Sequence, residues 1–71
     1  MLNVARIRLC RLERRWSQDV LGKMIGQDQA YISRLERGAF DTVTVAILEK
    51  LADAFGVSMD WLCGRKEDAR V

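Results

Sequence analysis

From Ser17 to Gly38 the chain reads SQDVLGKMIGQDQAYISRLERG, two short helical patterns separated by a tight glycine turn, and the remaining segments have to pack around that pair. A side-chain oxygen at Ser17 can accept from the free N–H groups of a first helical turn, and Asp19 sits where a negative charge suits the helix dipole. Gly26 closes this helix, because a residue without Cβ enters the left-handed conformation cheaply, and Asp28 is placed to cap the next one. The second of the pair then runs to Arg37. Ile32 and Leu35 give it an inward face, while Gln29, Ala30, Ser33 and Arg34 fall on the rest of its circumference.

The flanking segments are helical as well. Asn3 caps a first helix expected to reach about Arg15, with Ile7, Cys10 and Arg14 spaced for one face; Cys10 reads as a small core residue. Thr44 to Phe55 forms a fourth helix with Leu48, Leu51, Ala52 and Phe55 inward and Gly56 as its C-terminal stop. A fifth, of one or two turns, starts at Ser58 and is closed by Gly64. The remainder, RKEDARV, is charged and aperiodic, so a domain over 1–64 followed by a flexible tail over 65–71 is expected.

Four of the five helix starts carry the same signature, an apolar residue before the cap and another at the fourth helical position. The pairs are Leu2 with Ile7, Trp16 with Leu21, Val43 with Leu48 and Val57 with Leu62. The third helix lacks it. Gln27 precedes its cap, so that helix start is free to face a polar partner such as a phosphate backbone, or simply to form a polar surface turn.

Seventy-one residues make one small domain. The 49% apolar content and absence of proline suit a compact helical protein, so an all-α fold class is expected from the helical patterns, and no apolar run approaches the roughly 20 residues that span a membrane. The chain reads as soluble. Two cysteines without a histidine make no zinc pattern, so both are expected to be reduced thiols in a cytoplasm, with no metal and no cofactor. The same absence of histidine, of a ligand cluster and of a phosphate-cradling glycine loop argues against an enzyme. The net charge of +2 is unevenly spread: residues 1–16 hold five arginines against one acid, and residues 39–71 are net acidic. A positive first helix suits phosphate contact, and it equally suits a merely solvated helix face.

The paired helices with their turn form a helix-turn-helix, and the stretch resembles that of the Cro and phage-repressor group, the XRE-type regulators. Ser17-Gln18 opens its first helix, Leu21-Gly22 stands where the group usually has Leu-Ala, YISRLERG from Tyr31 is close to common family wording, and GVSMDWLCG from Gly56 resembles the closing segment of many members. The segment GAFDTVTV from Gly38 departs from the group, being about one residue longer and lacking its usual proline. That departure leaves open what Ala39, Phe40 and Thr42 would contact; Phe40 is expected to be partly buried.

The resemblance implies a five-helix, lambda-repressor-like domain that binds double-stranded DNA in a sequence-specific way, as a bacterial or phage-encoded transcriptional regulator in the cytoplasm, with repression the expected sign. Gln29, Ala30, Ser33 and Arg34 would meet bases in the major groove, where glutamine suits adenine and arginine suits guanine. Ser17, Gln18, Tyr31 and Arg37 would meet phosphates. Arg11 would pair with Glu36 and tie the first helix to the third; the alternative is two independent surface charges. One recognition helix covers only a few base pairs, so a symmetric homodimer on an inverted repeat is expected, with Met59, Trp61 and Leu62 at its interface unless Trp61 plugs its own domain. The competing function is a protein–protein adaptor using Leu9, Leu12, Val20 and Met24 as an apolar patch; these four could also be scattered surface residues.

Overall fold

The computed structural model describes residues 2–40, 42–65 and 67, and within them the chain forms five helices: α1 (Val4–Glu13), α2 (Gln18–Met24), α3 (Gln29–Glu36), α4 (Val45–Phe55) and α5 (Met59–Leu62). Each begins at the residue whose side chain can cap it. The oxygens of Asn3, Ser17, Asp28, Thr44 and Ser58 accept from the backbone N–H groups of Arg6, Val20, Tyr31, Ile47 and Trp61. Every helix therefore has one of its orphan first-turn donors satisfied from its own sequence.

The helices also stop alike. In all five a residue of positive φ follows the last turn, and the next N–H reaches back across six residues, as in Trp16 to the Arg11 carbonyl (3.1 Å) and Ala39 to the Arg34 carbonyl (3.0 Å). Glycine supplies the positive φ at 26, 38, 56 and 64, but α1 uses Arg15 at φ 59°. The first helix thus ends at Glu13, two residues short of Arg15, because Arg15 is the left-handed residue of the closing turn. An arginine there is held by its neighbours: the Arg15 N–H donates to the Leu12 carbonyl at 3.0 Å, and the Arg11 guanidinium donates to the Trp16 carbonyl at 2.9 Å. Left-handed geometry costs a non-glycine residue about 1–2 kcal/mol. Glycine would give back about 0.4–1 kcal/mol through its freer unfolded chain. Arg15→Gly is therefore expected to stabilise the domain by about 0.5–1 kcal/mol, raising its melting midpoint by a few degrees in calorimetry. A lowered midpoint would mean that the arginine side chain contributes more than its backbone costs.

Residues from every helix meet in one core. Ile7, Leu21, Ile25, Ile32, Leu35, Leu51 and Leu62 are fully buried, and Cys10 joins them, with burial pushing its thiol pKa up. The expected inward face of α4 is rotated slightly: Ile47 is buried and Leu48 only partly so. Of the staple residues, Leu2, Trp16 and Val43 pack half-buried on the core and Val57 is buried. At Gly22 an added Cβ would lie 2.9 Å from the backbone oxygens of Gln27 and Asp28, in the turn before α3. The group's usual alanine has no room there.

Most of the arginines in the first sixteen residues are engaged within the domain. Arg6 donates to the Trp61 carbonyl (2.6 Å) with its guanidinium 4.8 Å from the Trp61 ring. Arg14 donates to the carbonyls of Cys10 (3.0 Å) and Phe55 (2.6 Å), and lies over the rings of Trp16 and Phe55. The second of these bonds places a cation at the negative end of α4, where both the dipole and an unpaired carbonyl favour it. Arg11 is buried. Three of the five cations thus clamp the domain together, leaving Arg8 and Arg15 as the exposed ones. Of the expected tail, only Arg65 and Glu67 are among the described residues; the rest of 65–71 lies outside them.

Candidate nucleic-acid interface

α3 follows the turn at Gly26 because Asp28 caps it and Ile32 and Leu35 draw one side into the core. That anchoring leaves Gln29, Ala30, Arg34 and Arg37 exposed, with Ser33 and Tyr31 half-buried at the edges. Three of the expected base residues on α3, with Arg37 at its C-cap, are accordingly turned to solvent.

Behind this face runs a chain of polar contacts. Arg11 grips Glu36 with two parallel bonds, Nε to Oε2 at 2.6 Å and an amino nitrogen to Oε1 at 2.9 Å, with side chains 10% and 5% exposed. The bond to Glu36 raises the Arg11 pKa against the opposing effect of burial, so the guanidinium stays charged. The expected tie between α1 and α3 is present as a buried, bidentate pair. Glu36 also accepts from the Gln18 side-chain amide at 3.3 Å, and the Gln18 oxygen accepts from the Gln29 amide at 2.7 Å. The polarity of this chain follows from its end. A carboxylate can only accept, so Gln18 must turn its NH2 inward and present its oxygen to Gln29. Gln29 then keeps one amide hydrogen and its own oxygen, the donor and acceptor that an adenine edge requires.

Gln18 is therefore more than a surface phosphate contact, since both ends of its amide are used within the protein. Ser17 is exposed, with its hydroxyl occupied in capping α2. Sequence reasoning missed the link from Gln18 to Gln29, which depends on how closely α2 and α3 approach, and no local pattern signals it. It also missed the surroundings of Arg34. Phe40, from the segment after α3, lies half-buried with its ring 5.0 Å from that of Tyr31, and the Arg34 guanidinium stands 5.8 Å from the Phe40 centroid.

The α5 residues divide differently from expectation. Leu62 is fully buried and belongs to the core, so it offers no surface to a partner; even a four-residue helix buries it within the central cluster. Met59 and Trp61 are half-buried, and Trp61 carries Arg6 against its ring. The large apolar residues most exposed among the described ones are Leu9, Leu12, Val20, Met24 and Val45, none of them on α5.

A helix-turn-helix family model matches residues 7–62, most of the chain. The chain belongs to this family. Its similarity to individual helix-turn-helix proteins agrees. It is 36% identical over 52 residues to a hypothetical transcription factor of Neisseria meningitidis serogroup B, an alignment covering 73% of this chain and 48% of that protein. This chain thus spans about half the length of that relative. Among solved structures it is similar to the P22 c2 repressor protein in complex with the synthetic operator 9T, with a TM-score of 0.82 and 32% identity over 93% of this chain and 98% of that one. The XRE and phage-repressor resemblance and the all-α, five-helix fold are thereby established. Fold and family are those of DNA-binding regulators, and among the described residues no helix is long and apolar enough to cross a membrane.

Proposed function

We propose that this chain is a sequence-specific, double-stranded DNA-binding transcriptional regulator of the repressor type, acting in the cytoplasm, that inserts α3 into the major groove. The observation that carries this reading is the exposed set of Gln29, Ala30 and Arg34 on α3 with Arg37 at its C-cap, in a fold that matches a repressor seen with its operator. Gln29, with its free donor and acceptor, suits adenine; Arg34 suits guanine; Ala30 and Ser33 are small enough to approach a thymine methyl or a sugar. Ser17, Gln18, Tyr31 and Arg37 flank these residues as phosphate contacts, Gln18 through what its internal bonds leave over.

Selection of bound duplexes from a random DNA pool, followed by salt titration, tests the reading. Arg37→Ala is expected to reduce the slope of log K against log salt by about 0.9, the release expected for one neutralised phosphate, with the selected motif intact. Arg34→Ala is expected to relax one base pair of each half-site at a cost of about 1–3 kcal/mol. A parent protein that selects no motif would refute sequence-specific reading, and unchanged behaviour of either variant would remove that residue from its role.

A homodimer on an inverted repeat completes the proposal, because a single recognition helix reads too few base pairs to select one operator. Half-buried Met59 and Trp61 are its interface residues, without Leu62. One observation favours a second surface: Leu9 and Leu12 on α1 are 51% and 52% exposed, as an adaptor patch for a protein partner would be. Sedimentation of charge-substituted variants at 59 and 61, against variants at 9 and 12, assigns the contact to α5 or to α1.

A further inference from the structure

Arg34 differs from the other exposed residues of α3 in having an aromatic support. Tyr31 and Arg34 are three residues apart, hence neighbours on the same side of the helix. The turn at Gly38, fixed by the bond from the Ala39 N–H to the Arg34 carbonyl, brings Phe40 back beside them. The Phe40 ring lies against Tyr31 at 5.0 Å between centroids, and it shares with Leu35, Val43 and Leu48 the lining of one cleft, so it is held from two sides. The Arg34 guanidinium stands over this ring at 5.8 Å, within reach of a cation–π attraction.

We propose that Phe40, backed by Tyr31, is a positioning residue for base reading: its ring holds the Arg34 guanidinium at the groove-facing side of α3 before DNA arrives. The proposal rests on α3 being the DNA-reading helix and adds to it a determinant from the segment that follows. A long arginine side chain loses rotamer freedom when it pairs with a base, and a ring that has already restricted it leaves less to lose. The ring engages the guanidinium through its π face, while pairing with guanine O6 and N7 uses the N–H donors at the guanidinium edge, so the two contacts do not compete.

The variants Phe40→Leu, Phe40→Tyr and Arg34→Ala, with the double variant Phe40→Leu/Arg34→Ala, test this in the whole chain. Leucine keeps an apolar residue over the cleft, tyrosine keeps the ring, and thermal melting confirms that each variant is folded at the assay temperature. The probes are the duplex selected by the parent and duplexes changed at one base pair at a time. Phe40→Leu is expected to lower discrimination about two- to fivefold at the base pair that Arg34 reads, the ratio a cation–π contact at an exposed site supports. Discrimination at other base pairs and the salt slope stay as in the parent, tyrosine restores the preference, and the double variant discriminates no worse than Arg34→Ala alone.

Proton NMR without DNA reads the contact itself. The Arg34 δ-methylene resonances are expected upfield in the parent and in Phe40→Tyr, and near ordinary positions in Phe40→Leu. Unshifted resonances in the parent overturn the aromatic support whatever the DNA results. A parent that shows the shift but selects no motif overturns the DNA reading, and the positioning role falls with it. Shifted resonances and a selected motif, with discrimination in Phe40→Leu unchanged or lowered equally at every base pair, overturn the positioning role alone.

Discussion

Glu36→Ala is expected to destabilise the domain by about 3–5 kcal/mol, the range for removing one partner of a buried ion pair. The loss is large because of what remains. Arg11 would keep its charge in a place 8% exposed, with its two bonds to Glu36 broken and only the Trp16 carbonyl still accepting from it. A single core in a chain of 71 residues supplies only about 3–5 kcal/mol of net stability, so the variant is expected to be largely unfolded at room temperature. Urea unfolding followed by circular dichroism measures this directly. Replacing both partners with apolar residues, as in Arg11→Met with Glu36→Leu, is expected to recover much of the loss, since no uncompensated charge is then buried. Two single losses that simply add in the double variant would show that the pair is not coupled.

The second large effect is expected at Gly22. Alanine is a better helix former than glycine by about 1 kcal/mol, and on propensity alone Gly22→Ala should stabilise α2. Sterics oppose it. The new methyl would meet the backbone oxygens of Gln27 and Asp28 at 2.9 Å, and these belong to the turn that positions α3, with no flexible side chain to swing aside. Forcing a methyl into such a contact typically costs about 1–3 kcal/mol, so a net loss is expected, with α3 displaced away from α2. The same urea experiment decides the sign. A gain in stability would show that the two helices part easily, and the contact between Gln18 and Gln29 would then be the place to look for the change.

Local chemistry made much of the fold legible. Each of the five caps is read from one residue and the N–H groups that follow it, and all five are found where Asn3, Ser17, Asp28, Thr44 and Ser58 stand. Arg11 with Glu36 was legible by resemblance, and their burial makes physical sense of it. What failed was inference from totals. The charge of the first sixteen residues says nothing about whether an arginine faces water or a carbonyl, and Arg6 and Arg14 face carbonyls of α5 and α4. The same holds for Leu62, expected at an interface together with Met59 and Trp61, when it is fully buried in the core of its own domain. Phe40 was legible as half-buried, but its place under Arg34 depends on a turn from another segment.

The line of contacts from Gln29 through Gln18 and Glu36 to Arg11 bears on how such a domain could change its target during evolution. A substitution at Gln29 disturbs an amide whose orientation is handed down from a buried carboxylate, so new side chains there must satisfy Gln18 as well as a new base. Arg34 stands outside that line, over the half-buried ring of Phe40. If α3 reads bases as proposed, drift in operator preference would begin at Arg34 and the segment carrying Phe40, while Gln29 would change late and together with Gln18. Under that proposal, two positions on one helix would age at different rates.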